Sequence, residues 1–346
     1  MSTAAAPLSP KVVEAFAAPR IGRSLLDLGT SVVPYLALLV TMYFALRVSL
    51  LLTFALALPA AGFLIRSFIV FHDCAHGSFW PSKRVNGVLG AVLGLLVWLP
   101  FRSWRHEHAI HHATAGNLDE RGVGDIHTLT VSEYRDLPWP GKLGYRLFRS
   151  PFVMFGLGWL FVLILKPRFV PRGTRPQVRN SILGTNAALA VLVTVLCLLV
   201  GWQDYLLVQT PVFLVAGAAG IWLFYVQHQF EDTYWQTADA WRYDQAALQG
   251  SSYLKLPRIL QFFTGNIGLH HVHHLSARIP NYNLQAAHDT TRQLRDVPQL
   301  SIREALRTSR LKLWDEQQRR LVTFREAELS AASSGTRPAP AADPQG

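Results

Sequence analysis

Histidine is the residue type in this sequence whose number and spacing could carry chemistry. The 346 residues include 13 histidines, against 2 cysteines and 3 methionines. Eleven of the histidines fall in four short segments, at positions 72–76, 106–112, 228 and 270–274. Neutral imidazole is a ligand for zinc, copper, iron and nickel. Because two cysteines cannot form a disulfide framework or a thiolate zinc site, the segments predict a metal centre built from imidazoles.

Helical spacing selects nine of these histidines. Residues at positions i, i+3 and i+4 share one face of a helix. On that rule the four segments contribute two, three, one and three convergent imidazoles, whereas His106 and His271 point elsewhere. The predicted ligands are His72, His76, His108, His111, His112, His228, His270, His273 and His274. One metal ion cannot use nine nitrogen atoms, so the sequence predicts two ions with positions left open for a reactant.

Five polar residues beside the predicted ligands could support them. They are Asp73, Glu107, Glu231, Asp232 and Asn266. The carboxylates could accept hydrogen bonds from imidazole N–H groups, or they could be solvated acids at helix ends. Asn266 could face the metals directly or through water, or it could cap its own helix. The sequence indicates no catalytic residue beyond the metal ligands, and it does not assign substrate-binding residues.

The elements that must position these residues are apolar helices. Of the residues, 50% are hydrophobic and only 16% are charged, whereas ordinary globular proteins are about 25% charged. A helix needs about 20 apolar residues to cross a bilayer. Four runs approach that length and predict an all-α integral membrane protein with two transmembrane hairpins: Ser31–Leu46, Val48–Val70, Ile182–Val200 and Leu206–Val226. Val88–Pro100 and Pro151–Leu165 are shorter and predict interfacial or re-entrant helices, with one spanning helix as the alternative.

The charges predict an orientation for these hairpins. The net charge is +11, and twelve Lys or Arg residues lie between Phe101 and Asn180, whereas the connection Gly201–Tyr205 has none. The positive-inside rule then places both termini and the histidine segments in the cytoplasm. The net charge is thus explained by topology, and no nucleic-acid partner is expected. Arginine greatly outnumbers lysine. This bias indicates a GC-rich bacterial genome and therefore favours a bacterial inner membrane.

The chain divides into three predicted parts. Residues 1–30 form a cytoplasmic N-terminal arm, residues 31–330 form the membrane domain with a helical cytoplasmic cap, and residues 331–346 form a disordered, low-complexity tail. The region from Ser301 to Glu328 is expected to be partly helical. The N-terminus has no charged start followed by a short apolar core, so no cleaved signal peptide is expected.

The histidine segments resemble the three histidine boxes of the membrane fatty acid desaturases. The boxes read HDCAH, HAIHH and HHVHH, and the resemblance runs from about Phe71 to Leu284. The longer segments HDCAHGSFWPS, VQHQFEDTYW and HHVHHLSARIPNYNL are similar to those of the acyl-lipid delta-12 (omega-6) type. The third box begins with His270, where front-end desaturases typically have Gln. Three residues separate the histidines of the first box, where animal acyl-CoA desaturases have four.

This resemblance implies an activity and a set of cofactors. The nine histidines would hold two irons, and O2 would be the co-substrate. The enzyme would introduce a cis double bond into the acyl chain of a lipid or thioester, converting oleoyl to linoleoyl if it is of the delta-12 type. The sequence contains no nucleotide-binding fingerprint, iron–sulfur cysteine set or haem module. An external electron donor of the ferredoxin or cytochrome b5 type is therefore implied.

The residues separate three other classes of membrane protein from a desaturase to different degrees. A di-iron fatty acid hydroxylase or ketolase would use the same boxes, so the sequence discriminates it weakly. A membrane zinc hydrolase would need an H-E-x-x-H helix, but Ile110 stands where the second histidine would be required. A metal or haem transporter would place histidines inside the spanning helices, whereas the histidine boxes here lie outside the predicted spanning runs. The sequence leaves the oligomeric state open.

Overall fold

The computed structural model describes residues 9–334, and nearly all of its regular structure is helical. A short 3-10 helix at Pro10–Phe16, capped by Ser9, precedes the first long helix. The α-helices of the described residues are α1 (Ile21–Ala45), α2 (Leu50–His76), α3 (Lys83–Leu96), α4 (Phe101–Thr114), α5 (Val131–Asp136), α6 (Trp139–Phe148), α7 (Pro176–Val200), α8 (Trp202–His228), α9 (Tyr243–Gln249), α10 (Arg258–Phe263), α11 (His270–Leu275), α12 (Leu284–His288), α13 (Arg292–Arg295), α14 (Ile302–Thr308) and α15 (Phe324–Ser334).

Helices α1, α2, α7 and α8 are long and apolar enough to cross a membrane. Each of these helices has 25 to 27 residues. Because each helical residue adds about 1.5 Å, the helices are longer than the hydrocarbon core of a bilayer is thick. Large apolar side chains such as Leu51 and Leu198 are exposed on their outer faces, as is expected of surfaces that contact lipid. The predicted helical membrane fold with two hairpins of spanning helices is confirmed.

The ends of the spanning helices differ from the prediction. Helix α1 begins at Ile21, ten residues before the apolar run, and α7 begins at Pro176. Part of the predicted 1–30 arm is therefore helical. Asp27 interrupts the apolar pattern there, but it is buried against Arg66 of α2. Because Asp27 has a partner on α2, α1 continues through this polar residue, although the hydropathy pattern is interrupted there.

The two shorter apolar stretches lie in bent helix pairs. Helices α3 and α4 meet at 103°, and α6 meets the segment Phe152–Arg168 at 60°. The α3–α4 corner is tight, because a Cβ on Gly90 would lie 2.1 Å from the ring of Phe101. Such geometry fits a re-entrant segment or a broken span, and it turns α4 across the end of the bundle.

The part of the chain that follows α8 forms a C-terminal cap. This cap contains strands that the sequence did not predict. Strands β1 (Tyr253–Leu254) and β2 (Gln299–Leu300) pair in parallel, and β3 (Leu313–Asp315) and β4 (Arg320–Val322) form an antiparallel hairpin. The predicted partly helical segment 301–328 thus contains α14, a hairpin and the start of α15. Helix α15 extends to Ser334, so the predicted start of the tail, at residue 331, falls inside this helix. The rest of the predicted tail, residues 335–346, lies outside the described residues.

The connections of both hairpins lie at the same end of the bundle. Arg47, between α1 and α2, forms a 3.3 Å ion pair with Asp204, at the start of α8. Helix α2 packs against α1, α3 and α8 and is central in the bundle. The other end of the bundle therefore holds the last turns of α2 and α8, and α4 and α11 join them there through their histidines.

Candidate metal centre

The structure brings the nine selected histidines together in two groups. The five-histidine group consists of His72, His76, His108, His112 and His273, and the four-histidine group consists of His111, His228, His270 and His274. Within each group, one ring nitrogen of every residue lies within 4.8 Å of the others. Helix α2 serves only the first group and α8 only the second, whereas α4 and α11 serve both.

The two groups divide the histidine boxes. On α4, His108 and His112 are one turn apart and face the five-histidine group, whereas His111 faces the four-histidine group. On α11, His273 belongs to the first group, and His270 and His274 belong to the second. Spacing at i, i+3 and i+4 therefore identifies residues that face the centre, but it does not show which residues share one metal.

Distances between the imidazoles fit metal ligands. The Nε2 atoms of His112 and His273 are 2.9 Å apart, and those of His108 and His112 are 3.2 Å apart. In the second group, Nε2 of His228 lies 3.1 Å from Nε2 of His111 and 2.9 Å from Nε2 of His270. Two nitrogens bound to one ion at about 2.1 Å and at right angles lie about 3.0 Å apart. Each group thus has the separations of ligands on one ion.

Hydrogen bonds on the other ring nitrogens show why a cation fits the four-histidine group. Nδ1 of His228 donates to the carbonyl of Gly250 at 3.0 Å, since a carbonyl can only accept. Nδ1 of His111 faces Oδ1 of Asp125 at 2.5 Å. In the neutral rings both Nε2 atoms then carry lone pairs, and these point at each other. A metal ion between them resolves that contact.

Buried nitrogen atoms without partners extend this test to both groups. Nε2 of His76 in the five-histidine group and Nε2 of His274 in the four-histidine group are buried and make no hydrogen bond within the described part of the chain. Leaving a buried polar atom unpaired is costly. Metal coordination would satisfy both atoms.

The protonation states also suit metal binding. Burial is the main cause that lowers the pKa of His108, His112, His270, His273 and His274 well below the ordinary 6.5, and neighbouring imidazoles lower it further. These rings are therefore neutral at physiological pH. Neutral imidazole is the form that binds a metal, so binding need not displace protons from them.

Of the five polar residues that the sequence singled out, Asp73 contacts a ligand. Its Oδ1 lies 3.2 Å from Nδ1 of His72, and both residues are buried. Among the described contacts Asn266 has no hydrogen bond to a histidine, and the N-cap of α11 is Leu269. Its backbone adopts a positive φ of 57°, and its side chain donates to the carbonyl of Asn281 at 3.3 Å.

The other three acids form no hydrogen bond with an imidazole among the described residues. Glu107 binds Lys166 at 2.6 Å, and Glu231 pairs with Arg320. Asp232 is exposed, and no contact joins it to a histidine in the described residues. Proximity to a ligand in the sequence therefore does not by itself place an acid against an imidazole, since Asp73 contacts His72 and these three acids contact other groups or solvent.

Three contacts of the ligands were not foreseen. They are the carboxylate of Asp125, the carbonyl of Gly250, and the ring of Trp104, which stacks on His108 at 4.3 Å between centroids. Asp125 follows Gly124 in a loop 14 residues after its partner His111, and no spacing rule connects the two. His271, which helical spacing excluded from the ligand set, forms a 3.0 Å hydrogen bond with His288 and belongs to neither group.

Four apolar helices, of which α2 and α8 end in two groups of histidines that could hold metal ions, define a membrane protein with a candidate imidazole-rich metal centre. The chain belongs to the fatty acid desaturase family, whose sequence model matches residues 47–304. It is an enzyme of this family, and the resemblance seen in the three boxes is confirmed at that level.

Individual relatives bear names of the same kind. The chain is 49% identical to a fatty acid desaturase of Bacillus subtilis (strain 168), over 91% of this chain and 90% of that protein. It is 27% identical to the sn-1 oleoyl-lipid 12-desaturase of Synechocystis, over 78% of this chain and 74% of that protein. It is 29% identical to the sn-1 acyl-lipid omega-3 desaturase (ferredoxin) of the same organism, over 64% of this chain and 62% of that protein.

Proposed function

We propose that this enzyme introduces a cis double bond into the acyl chain of a membrane lipid, using O2 and one iron in each histidine group. The observation that carries this proposal is the pair of histidine groups, whose imidazole nitrogens approach to 2.9–3.2 Å at the end of a membrane-spanning bundle. A nitrogen-rich ligand set without thiolates suits iron in an oxidase better than structural zinc.

The reaction needs an oxidant that no side chain supplies. When bound, the irons would provide the redox chemistry that activates O2 and breaks an unactivated C–H bond. Two neighbouring methylene groups lose one hydrogen each, and an external donor supplies two electrons with two protons. These four hydrogen equivalents reduce O2 to two waters, and the acyl chain keeps the new double bond.

The residues of this chain would orient the ligands and keep water away. Asp73, Asp125 and the Gly250 carbonyl contact the Nδ1 atoms of three histidines, which leaves Nε2 of each ring for the metal. Trp104 covers His108, and Phe68 and Phe71 pack edge-on against Trp104 at 5.5 and 5.1 Å. Phe68 and Trp104 of this aromatic wall are partly exposed and would give an acyl chain an apolar surface beside the five-histidine group, and the buried Phe71 supports them from behind.

The substrate position and the donor are further parts of the proposal. Delta-12 desaturation of an oleoyl lipid is supported by the sequences around the boxes and by the name of the Synechocystis 12-desaturase. An external ferredoxin- or cytochrome b5-type donor is supported by the name of the ferredoxin-dependent relative. The basic loops support an inner-membrane location with the centre on the cytoplasmic side.

Lipid analysis tests this function. The enzyme is expressed in a host that makes only saturated and monounsaturated lipids, and its fatty acids are analysed by mass spectrometry that locates double bonds. Linoleoyl chains are expected. A double bond elsewhere would refute the delta-12 assignment, and an added hydroxyl group would refute desaturation.

Two histidines of α4 provide a matched pair for the metal assignment. The substitution His108→Ala removes a ligand of the five-histidine group and should abolish the product. The substitution His106→Ala changes an exposed ring on the same helix and should leave activity intact. Activity that survives His108→Ala would show that the metal assignment is wrong.

A further inference from the structure

A buried polar network joins α1 to the five-histidine group. Its members are Asp27 of α1, Arg66 and Asp73 of α2, and Asn281, which follows the third histidine box. The exposed fraction is 5% for Asp27 and 2% for both Asp73 and Asn281. Ionisable residues within membrane-spanning helices are costly to bury and usually serve a function, and neither a metal contact nor the proposed reaction accounts for Asp27 or Asn281.

Asn281 connects the two carboxylates. Its Nδ2 donates to Oδ2 of Asp27 at 2.7 Å and to Oδ2 of Asp73 at 3.0 Å. Its backbone N–H also donates to Oδ2 of Asp73, at 2.7 Å. One oxygen of Asp73 is therefore held twice by Asn281, and the other oxygen is left facing Nδ1 of His72 at 3.2 Å.

Arg66 holds Asp27 from the opposite side. Its guanidinium donates to Oδ1 of Asp27 and to the carbonyl of Phe262, and it lies over the ring of Phe262, 4.1 Å from the centroid. Since Oδ1 of Asp27 is bound to Arg66, Oδ2 is directed at Asn281. The orientation of the Asn281 amide is thus fixed by a charged pair that does not itself reach a histidine.

We propose that Asn281 is a positioning residue of the five-histidine group. It holds the carboxylate of Asp73 in the orientation that directs Nε2 of His72 into that group. Carboxylates that hold a metal-bound imidazole raise metal affinity, and this inference extends that support one residue further. It rests on the proposed function, because the five-histidine group must hold a metal. The four-histidine group is supported separately, by Asp125 and Gly250.

Asn283 is a matched control on the same segment. It is also buried, its Nδ2 donates to the carbonyl of Phe16 at 2.9 Å, and its Oδ1 accepts from Arg20 at 3.0 Å. Asn283 thus connects this segment to the N-terminal part of the chain as Asn281 does, but it has no hydrogen bond to Asp73 or to a histidine of either group.

The test compares Asn281→Ala with Asn283→Ala in the full chain, purified in detergent with iron. Iron per chain, the rate of iron loss to a ferrous chelator and the melting temperature are measured. The wild-type protein should hold two irons. Asn281→Ala should release one of the two at least about tenfold faster, the range found when such supporting residues are changed, and the other iron should leave at the wild-type rate. Asn283→Ala should release both irons at the wild-type rates, even if it melts earlier.

Each other outcome has a defined meaning. Wild-type release kinetics in Asn281→Ala would overturn the inference, and so would equal acceleration in both variants, because the segment would then act only by tying the fold together. If Asn281→Ala does not accumulate, Asp27→Asn replaces it, since it keeps the side-chain shape and removes the charge that orients Asn281. The same single iron should then be released faster, and unchanged release would overturn the inference. A wild-type protein without iron would overturn the proposed function itself, before any variant is compared.

Discussion

The two histidine groups offer the same kind of ligand but lie in different surroundings. The five-histidine group is supported by helices, through Asp73 at the end of α2 and the aromatic wall of Phe68 and Phe71 on α2 and Trp104 on α4. The four-histidine group is supported by loops, through Asp125 and the carbonyl of Gly250. The first group therefore depends on the packing of the helices, and the second depends on the loops beyond the helix ends.

A small cavity with a mixed lining adjoins the four-histidine group. Its volume is about 20 Å³, and it is lined by the polar residues Asn117, Arg121, Asp125 and Gln229 together with the apolar side chains of Ile126, Phe224 and Trp235. That volume accommodates about one water molecule, and the polar residues offer it partners. Phe224 also packs against His111 and His228, with ring centroids 5.0 and 5.6 Å away. Aromatic rings therefore flank both groups, and the four-histidine group has polar residues beside it in addition.

The buried Arg149 links the four-histidine group to the C-terminal cap. Its guanidinium donates to Oε1 of Gln229 at 2.9 Å, to Oγ1 of Thr128 at 2.8 Å and to the carbonyl of Leu311 at 3.2 Å. Gln229 directly follows the ligand His228. Changes in the cap are therefore expected to affect the four-histidine group more than the five-histidine group.

The largest expected effect comes from two neighbouring ligands. His273→Ala removes a ligand of the five-histidine group, and His274→Ala removes a ligand of the four-histidine group. Each variant should lose desaturation below detection, since removing a ligand should cost more than the 10- to 100-fold effect of removing a ligand's support. Each should also lose a different iron in chelator-release measurements. Loss of the same iron in both would contradict the division into two groups, and His271→Ala, which changes the partner of His288, is the control.

Changing the supporting carboxylates should have the next largest effect. Asp73→Asn and Asp125→Asn keep the side-chain shape but replace a carboxyl group with an amide. We expect metal affinity to fall by about 10- to 100-fold, in the five-histidine group for the first variant and in the four-histidine group for the second. Iron retention during dialysis against graded chelator measures this.

Asp119→Asn is the control for that comparison. Asp119 is exposed in the same loop region and accepts from the backbone N–H of Ala238 at 2.8 Å, so iron binding should not change. If Asp125→Asn weakened both irons equally, the separate support of the two groups would be refuted.

The sequence predicted what depends on one helix at a time. Apolar runs located four spanning helices, and helical spacing selected nine histidines that the structure places in the two groups. That they bind iron stays a prediction. The predicted starts of α1 and α7 were wrong because a hydropathy pattern ends at polar residues. In α1, Asp27 interrupts the pattern, but the helix continues through it because Asp27 pairs with Arg66 on another helix.

The partition of the ligands could not be predicted, because it depends on where four helices meet. His111 and His112 are adjacent in sequence but belong to different groups, according to their positions relative to α8 and α2. Asp125 and Asn281 were missed for the same reason. Their partners, His111 and Asp73, lie 14 and 208 positions away in sequence, and proximity in sequence instead favoured Glu107 and Glu231.

A smaller effect is expected from the loop that carries Asp125. Gly124 has a φ of +75°, and a Cβ there would lie 2.9 Å from the carbonyl oxygen of Glu107 and 3.0 Å from Cβ of His111. Gly124→Ala should displace Asp125 and weaken iron binding in the four-histidine group a few-fold. Gly122 also has a positive φ, of +110°, but a Cβ there would contact nothing within 4 Å.

The matched variant Gly122→Ala therefore separates crowding from backbone strain. Both substitutions carry a backbone cost of about 1 kcal/mol or more, which lowers the melting temperature in each. Only Gly124→Ala should also speed iron release, and only from the four-histidine group. Equal iron release from the two variants would show that the Gly124 contacts do not position Asp125.

The smallest expected effect concerns the cap behind the four-histidine group. The ammonium of Lys312 donates to the carbonyl of Arg149 at 2.5 Å and to the carbonyl of Ser309. Burial, with a smaller contribution from the nearby Arg149 charge, lowers the pKa of Lys312 from the ordinary 10.5 to about 8. Between these two pH values the unfolded chain binds more protons at Lys312 than the folded chain does. The free energy of unfolding should therefore rise with pH in this range.

Lys312→Met isolates this contribution, since it keeps an unbranched side chain one atom shorter and removes the titrating group. The melting temperature of the wild-type protein should rise relative to that of the variant by a few degrees between pH 8 and 10, and the difference should be constant below pH 7. Parallel profiles across the whole range would show that Lys312 is not desolvated in the fold. Because Arg149 connects this region to Gln229, the same pH change should alter iron release from the four-histidine group before it alters release from the five-histidine group.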